Sequence, residues 1–190
     1  SGAIENCTNS GTIDTYTGSN AYAGGIVAYG GSLVSKCTNT GDINVVRGPT
    51  LSYGYIGGIA GTSGGVSVSY CENLGNINVG DSCGLYLGGI VSSGSATSCH
   101  NGGIITAKNT GNTGYIGGIT GTGSANRSYN SAPITLVCAY NSSSNNYINE
   151  CTTGIIECDF SFEKNNKFKA KVLKEKGYFK SLNSPIDGKD

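Results

Sequence analysis

Cys7-Thr8-Asn9-Ser10-Gly11-Thr12-Ile13 is the stretch that decides the fold, because it returns down the chain. It recurs as Cys37-Thr38-Asn39-Thr40-Gly41-Asp42-Ile43, as Cys71-Glu72-Asn73-Leu74-Gly75-Asn76-Ile77 and as Cys99-His100-Asn101-Gly102-Gly103-Ile104-Ile105. A decayed copy follows at Ser128-Tyr129-Asn130-Ser131-Ala132-Pro133-Ile134. The pattern is Cys-x-Asn-x-Gly-x-Ile, with cysteines 30, 34 and 28 residues apart. A second block keeps phase with it. Tyr22-Ala23-Gly24-Gly25-Ile26 is followed by Tyr55-Ile56-Gly57-Gly58-Ile59, Tyr86-Leu87-Gly88-Gly89-Ile90 and Tyr115-Ile116-Gly117-Gly118-Ile119.

Self-similarity at this period is the mark of a solenoid. Each unit reads as two or three short strands between turn residues, with no 3.6-residue period before the C-terminal tail. One unit cannot bury its few apolar side chains alone, but stacked units put Ile on Ile and close a narrow core. The expected fold is an all-β parallel β-helix of about five rungs, roughly 24 Å long at about 4.8 Å per rung. Ile13, Ile43, Ile77, Ile105 and Ile134 should form one inward ladder, and Ile26, Ile59, Ile90 and Ile119 another. Asn9, Asn39, Asn73, Asn101 and Asn130 are expected at a corner, where Asn tolerates left-handed backbone and its amide can bond the next rung. The glycines two residues later also suit positive φ. The Gly-Gly pairs are expected to turn a further corner, so that Ile56 and Ile59 both face inward.

Composition agrees. The 32 glycines are too many for helices and have no Gly-X-Y period. Charged residues are only 13%, which argues against a disordered polyelectrolyte. Formal net charge is zero, so no basic field exists to hold nucleic acid. No apolar run is long enough to span a membrane. The start at Ser1-Gly2, without methionine, reads as a piece cut from something longer.

Eight cysteines, one histidine and no Cys-x-x-Cys pair leave no zinc site, and no cofactor is expected. Parallel neighbours have poor disulfide geometry. Cys7, Cys37, Cys71 and Cys99 are therefore expected as a ladder of buried free thiols, acting as small hydrophobes. Cys83, Cys138, Cys151 and Cys158 lie outside it, and a disulfide among them stays open.

The composition changes near Cys158. Phe160, Phe162, Phe168, Val172, Leu173 and Phe179 stand among eight lysines from Lys164 to Lys189. The division expected is a repeat domain over 1–157 and a capping tail over 158–190, with a short helix over Phe168 to Lys176. A cap would cover the strand edges that an open β-helix exposes.

Tyr-Ile-Gly-Gly-Ile-Ala-Gly from Tyr55 to Gly61, its copy Tyr-Ile-Gly-Gly-Ile-Thr-Gly from Tyr115 to Gly121, and the Cys-x-Asn-x-Gly-x-Ile blocks between them resemble GLUG-type repeats. Such repeats occur in large bacterial surface proteins, including adhesins and accessory regions of IgA-cleaving metalloproteases. The likeness covers roughly residues 3 to 135. The first copy departs at Ala23 and Ala28, the third at Ser92, and the fifth lacks the Tyr-Gly-Gly block. The resemblance implies a β-helix in a cell-surface or secreted setting and carries over no catalytic residue. His-Glu-x-x-His, the metalloprotease signature, is impossible with one histidine.

Polysaccharide lyases and glycosidases also use β-helices, so carboxylate pairs matter. Asp14 and Asp42 fall on adjacent rungs in neighbouring columns, but two exposed strand carboxylates are the plainer reading, and no Arg or Lys cluster accompanies them. His100 and Cys99 are adjacent in a strand and point to opposite faces, so His100 reads as a solvated surface residue. The Gly-Gly runs recur within a strand repeat, unlike a phosphate loop that leads into a helix.

The candidate ligand-binding residues are the column Tyr22, Tyr55, Tyr86 and Tyr115. Facing outward, these rings would offer an aromatic strip for sugar rings or partner proteins, extended by Tyr16, Tyr29 and Tyr53. Stacked on one another, they would only shield the Gly-Gly corner. The expected function is a non-catalytic stalk or adhesion module outside a bacterial cell. Its expected partners are a glycan, a host surface protein, or another copy stacked along the rod axis. The alternatives are a polysaccharide-active enzyme, including a phage-tail-like depolymerase, and a self-assembling fibre subunit.

Overall fold

A computed structural model of the chain describes residues 2–17, 20–30, 33–47, 53–138, 145–149, 155–159, 167–171 and 178–181. Side chains are described up to residue 135, except at 17, 47, 81–83 and 109–114. The described residues are all-β, and each turn has three strand segments paired in parallel with those of the next turn. The first face stacks Ile4–Glu5, Leu33–Ser35, Val66–Ser69, Val91–Thr97 and Thr120–Asn126. The second is short: Thr8–Asn9, Thr38–Asn39, Glu72–Asn73, His100–Asn101 and Tyr129–Asn130. The third is long and runs unbroken as Ile77–Gly88 and Ile105–Gly117 in the middle turns. Five strands in each of the first two faces make about four turns and the opening of a fifth.

Register matches like with like. Ile13 pairs with Ile43, Ile43 with Ile77, Ile77 with Ile105 and Ile105 with Ile134. From Ile43 onward these side chains are wholly buried, as are Ile59, Ile90 and Ile119, while Ile13 and Ile26 in the first turn are half-buried. The core has two columns. Ile56, Leu87 and Ile116 belong to the column behind the third face. Ile59, Ile90 and Ile119 belong to the other, with Val34, Val68 and three cysteines. The Gly-Gly corner thus sends Ile56 and Ile59 inward on opposite sides of a divide.

That divide is the asparagine column. Asn39, Asn73, Asn101 and Asn130 are completely buried. In Asn39, Asn73 and Asn101 each amide nitrogen donates twice. Within its own turn Asn73 Nδ2 reaches Gly75 O at 2.9 Å, and toward the next turn it reaches Asn101 Oδ1 at 2.7 Å. The chain of amides continues from Asn9 to Asn39 to Asn73 at 2.8 Å per step, and from Asn101 to Asn130 at 2.6 Å. Both donors of a buried amide are therefore satisfied, which is what makes its burial tolerable. The second glycine of each pair lies directly against this column: a Cβ on Gly58 would sit 2.3 Å from Asn73 Cγ, and one on Gly89 2.5 Å from Asn101 Cγ. This contact is why the two sequence blocks keep phase.

Three expectations are corrected. The left-handed residues are not the ladder asparagines Asn9, Asn39, Asn73, Asn101 and Asn130 but Asn6, Lys36, Tyr70, Ser98 and Arg127, with φ from 48° to 55°, one before each cysteine or its serine substitute. The Asn-ladder residues lie in strands, where their amides must point inward. The glycines two residues later are required for space rather than for positive φ: a Cβ on Gly75 would lie 2.0 Å from Gly41 O. In the tail, Lys167–Lys171 is a strand paired with Asn145–Asn149, not the start of a helix. Lysines there alternate with Phe168 and Ala170, the period of a strand. The rest of that expected helix lies outside the described residues. Ile155–Asp159 pairs with Ile134–Cys138, and Tyr178–Ser181 pairs onto it in turn.

Candidate functional site

The cysteines occupy the corner just after each left-handed residue. Cys37, Cys71 and Cys99 are buried free thiols, whereas Cys7 is exposed because no turn in the described residues covers it. They do more than fill space. Cys71 Sγ accepts from Cys37 N at 3.3 Å and donates to Ser69 O at 3.2 Å. Ser128 repeats the arrangement in the fifth turn, accepting from Cys99 N at 3.0 Å and donating to Asn126 O at 3.0 Å. Burial pushes the Cys37 thiol up, and its hydrogen bond with Cys99, then burial, pushes Cys71 up. The Cys37 and Cys71 thiols are therefore poor nucleophiles. Cys83, Cys138, Cys151 and Cys158 have no described side chains or lie outside the described residues.

Tyr22, Tyr55, Tyr86 and Tyr115 form one column, in register through the third face. Their rings stack at centroid separations of 5.1, 4.8 and 5.0 Å, nearly parallel in the first two pairs. All four are half-buried. Both ring faces of Tyr55 and Tyr86 are thus covered by neighbours, and what the column turns outward is ring edge and phenol. Burial, then the neighbouring tyrosines, raises the Tyr55 and Tyr86 phenols. Tyr29 meets Tyr22 edge-on at 4.8 Å, and Tyr53 is tilted 6.4 Å from Tyr86. Tyr16 stands exposed in register with Val46. Tyr147 pairs with Tyr115, so the fifth turn keeps a tyrosine in this register without the Gly-Gly pair.

The two carboxylates have separate partners. Asp14 accepts from Asn44 Nδ2 at 2.7 Å, and Asn44 from Asn78 Nδ2 at 2.8 Å, an exposed polar ladder. Asp42 instead accepts from Asn76 N at 2.8 Å.

His100 is the residue that sequence reasoning placed least well. It is no freely solvated side chain. Nδ1 lies 2.8 Å from Glu72 Oε1 in the turn below, and Nε2 lies 2.8 Å from Ser131 Oγ in the turn above. The Glu72 carboxylate can only accept, so the hydrogen at Nδ1 is the ring's, while Ser131 Oγ, which also donates to Asn101 O at 3.4 Å, closes the other end. Tyr129 stacks on the ring at 4.3 Å. Gly102 leaves room for this reach, since a Cβ there would lie 3.2 Å from His100 Cε1. The order carboxylate, imidazole, serine is that of an acyl-transfer relay. Such a site also needs N–H donors aimed at a developing oxyanion. Here the N–H groups of His100, Gly102, Tyr129 and Ser131 all donate to carbonyls of the turn below. The chain of atoms fixes the imidazole; the surrounding backbone is committed to the stack.

Beside it a groove of about 370 Å³ lies at the left-handed corner, lined by Tyr70, Glu72, Ser98, His100, Arg127 and Tyr129. No family model matches the chain, nor does any curated protein or solved structure. No group of three or more metal-ligating side chains occurs among the described residues.

Proposed function

We propose that the chain is a non-catalytic extracellular module of a bacterial cell-surface or secreted protein, a stiff stalk that carries an adhesion surface. The observation that supports it most is where the repeated residues go. The isoleucines, asparagines, glycines and cysteines that recur turn after turn bond or pack to their own copies in the next turn. The repeat therefore builds length and stiffness, which is what a spacer needs. The bacterial surface setting rests on the resemblance of the Tyr-x-Gly-Gly-Ile and Cys-x-Asn-x-Gly-x-Ile blocks to GLUG-type repeats.

Adhesion is supported by the aromatic side chains left outside. Tyr16, Tyr29, Tyr53, Tyr70 and Tyr129 are all exposed. Tyrosine supplies contact area and a hydrogen-bonding tip at low entropic cost. The stacked column at Tyr22, Tyr55, Tyr86 and Tyr115 adds a row of phenols at turn spacing. A glycan and mucin array probed with the purified chain tests the reading, scored for bound protein and for new reducing ends in the same wells. Binding without new ends is the expected result. New reducing ends would replace the reading by a polysaccharide-active enzyme, and silence in both channels would remove adhesion.

A further inference from the structure

We infer that the groove at the left-handed corner binds a carboxylated sugar of an acidic glycan; this rests on the adhesion part of the function proposed above and names its site. The groove arises where two columns of unlike residues meet. The corner column reads Asn6, Lys36, Tyr70, Ser98, Arg127, each with left-handed backbone that turns the side chain away from the core. The neighbouring column on the second face reads Thr8, Thr38, Glu72, His100, Tyr129. Ser98 is short, so it leaves a notch between Tyr70 and Arg127. Those two are two turns apart, roughly 9.5 Å along the axis, a length that suits one pyranose ring.

The walls have the chemistry of a sugar site. Tyr70 is 64% and Tyr129 50% exposed, and both offer aromatic surface. Arg127 is exposed at one end, and a guanidinium pairs best with a planar carboxylate. Glu72 and Ser98 can meet sugar hydroxyls. The site is also set in advance. His100 is held at both ring nitrogens and stacked on Tyr129, so this wall does not reorganise when a ligand arrives.

An added peptide strand fits less well. Tyr70 N donates to Thr97 O and Ser98 N to Asn126 O, so the corner backbone is already paired. Recognition must run through side chains, and those that line the groove are chiefly aromatic and polar, with one guanidinium at Arg127 and one carboxylate at Glu72 already engaged by His100, rather than aliphatic.

The test is an array of uronic-acid and sialic-acid glycans, each beside its carboxyl-reduced counterpart. The parent chain should prefer the carboxylated member of a pair by at least tenfold. Arg127→Gln should abolish the preference, and Tyr129→Ala should weaken both members. Ser98→Tyr should block binding by filling the notch; Tyr70 shows that this backbone accepts tyrosine, and a parental urea midpoint would confirm the fold. Binding that survives all three substitutions overturns the site and leaves adhesion standing. Equal binding to carboxylated and reduced glycans overturns the ligand class. Binding to no glycan on this array overturns the site, while the adhesion reading beneath it falls only if the glycan and mucin array is silent as well.

Discussion

Replacing Asn73 by alanine tests whether the buried amide column holds the coil together. Asn73 accepts one hydrogen bond, from Asn39 Nδ2 at 2.8 Å, and makes two, to Gly75 O at 2.9 Å and Asn101 Oδ1 at 2.7 Å. Alanine leaves three buried partners without their mate. An unsatisfied buried group costs about 1 to 3 kcal/mol, so the low end for each of the three gives roughly 3 kcal/mol in all. That is a large part of the stability of an ordinary domain. The control is Asn78→Ala. Asn78 donates the same kind of amide bond, to Asn44 Oδ1 at 2.8 Å, but on the exposed face. Water replaces that partner, and the expected cost is within about 0.5 kcal/mol. Urea unfolding followed by circular dichroism reads both, with slopes checked against the parent. Asn73→Asp adds a sign. A carboxyl buried there is held neutral, with its folded pKa above the unfolded one. Stability is then retained below about pH 4, the unfolded value, and lost as pH rises above it. Asn73→Ala should show no such slope. Equal losses for Asn73→Ala and Asn78→Ala, or a loss below about 1 kcal/mol for Asn73→Ala, would refute the argument that burial makes this column decisive.

Other parts of the coil make separate claims. Gly58→Ala should destabilise by several kcal/mol, on the order of overpacking or worse, because its Cβ would lie 2.1 Å from Gly89 O; Gly65→Ala, with nothing within 4 Å, should leave the urea midpoint unchanged. Cys71→Ser should cost less than Cys71→Val, since Ser128 makes the same pair of bonds while valine strands Cys37 N; paired thermal melts decide it. Iodoacetamide with mass mapping should label Cys7 in the folded chain and Cys37, Cys71 and Cys99 only after unfolding. Raised phenols at Tyr55 and Tyr86 mean that their contribution to stability is intact below about pH 10 and lost as pH climbs through their higher folded values. An ultraviolet titration should show late-ionising tyrosines that Tyr55→Phe and Tyr86→Phe remove.

The sequence by itself determined the columns. Parallel, in-register stacking sets each residue beside its counterpart one turn on, so any position that bonds or packs to its own kind must repeat. Ile, Asn, Gly, Cys and Tyr therefore announced the coil, the inward ladders and the free thiols. What they did not announce is where a requirement falls on backbone alone. Asn6, Lys36, Tyr70, Ser98 and Arg127 share one left-handed conformation and no side-chain chemistry, because their side chains leave the core. The glycines after each asparagine repeat visibly, but their reason, the carbonyl of the turn below, is a distance between turns. The histidine relay and the corner groove are built from residues that occur once each. A repeat pattern reports only what every turn needs; a site made from the differences between turns comes into being when winding brings Glu72, His100, Arg127 and Tyr129 together at one corner.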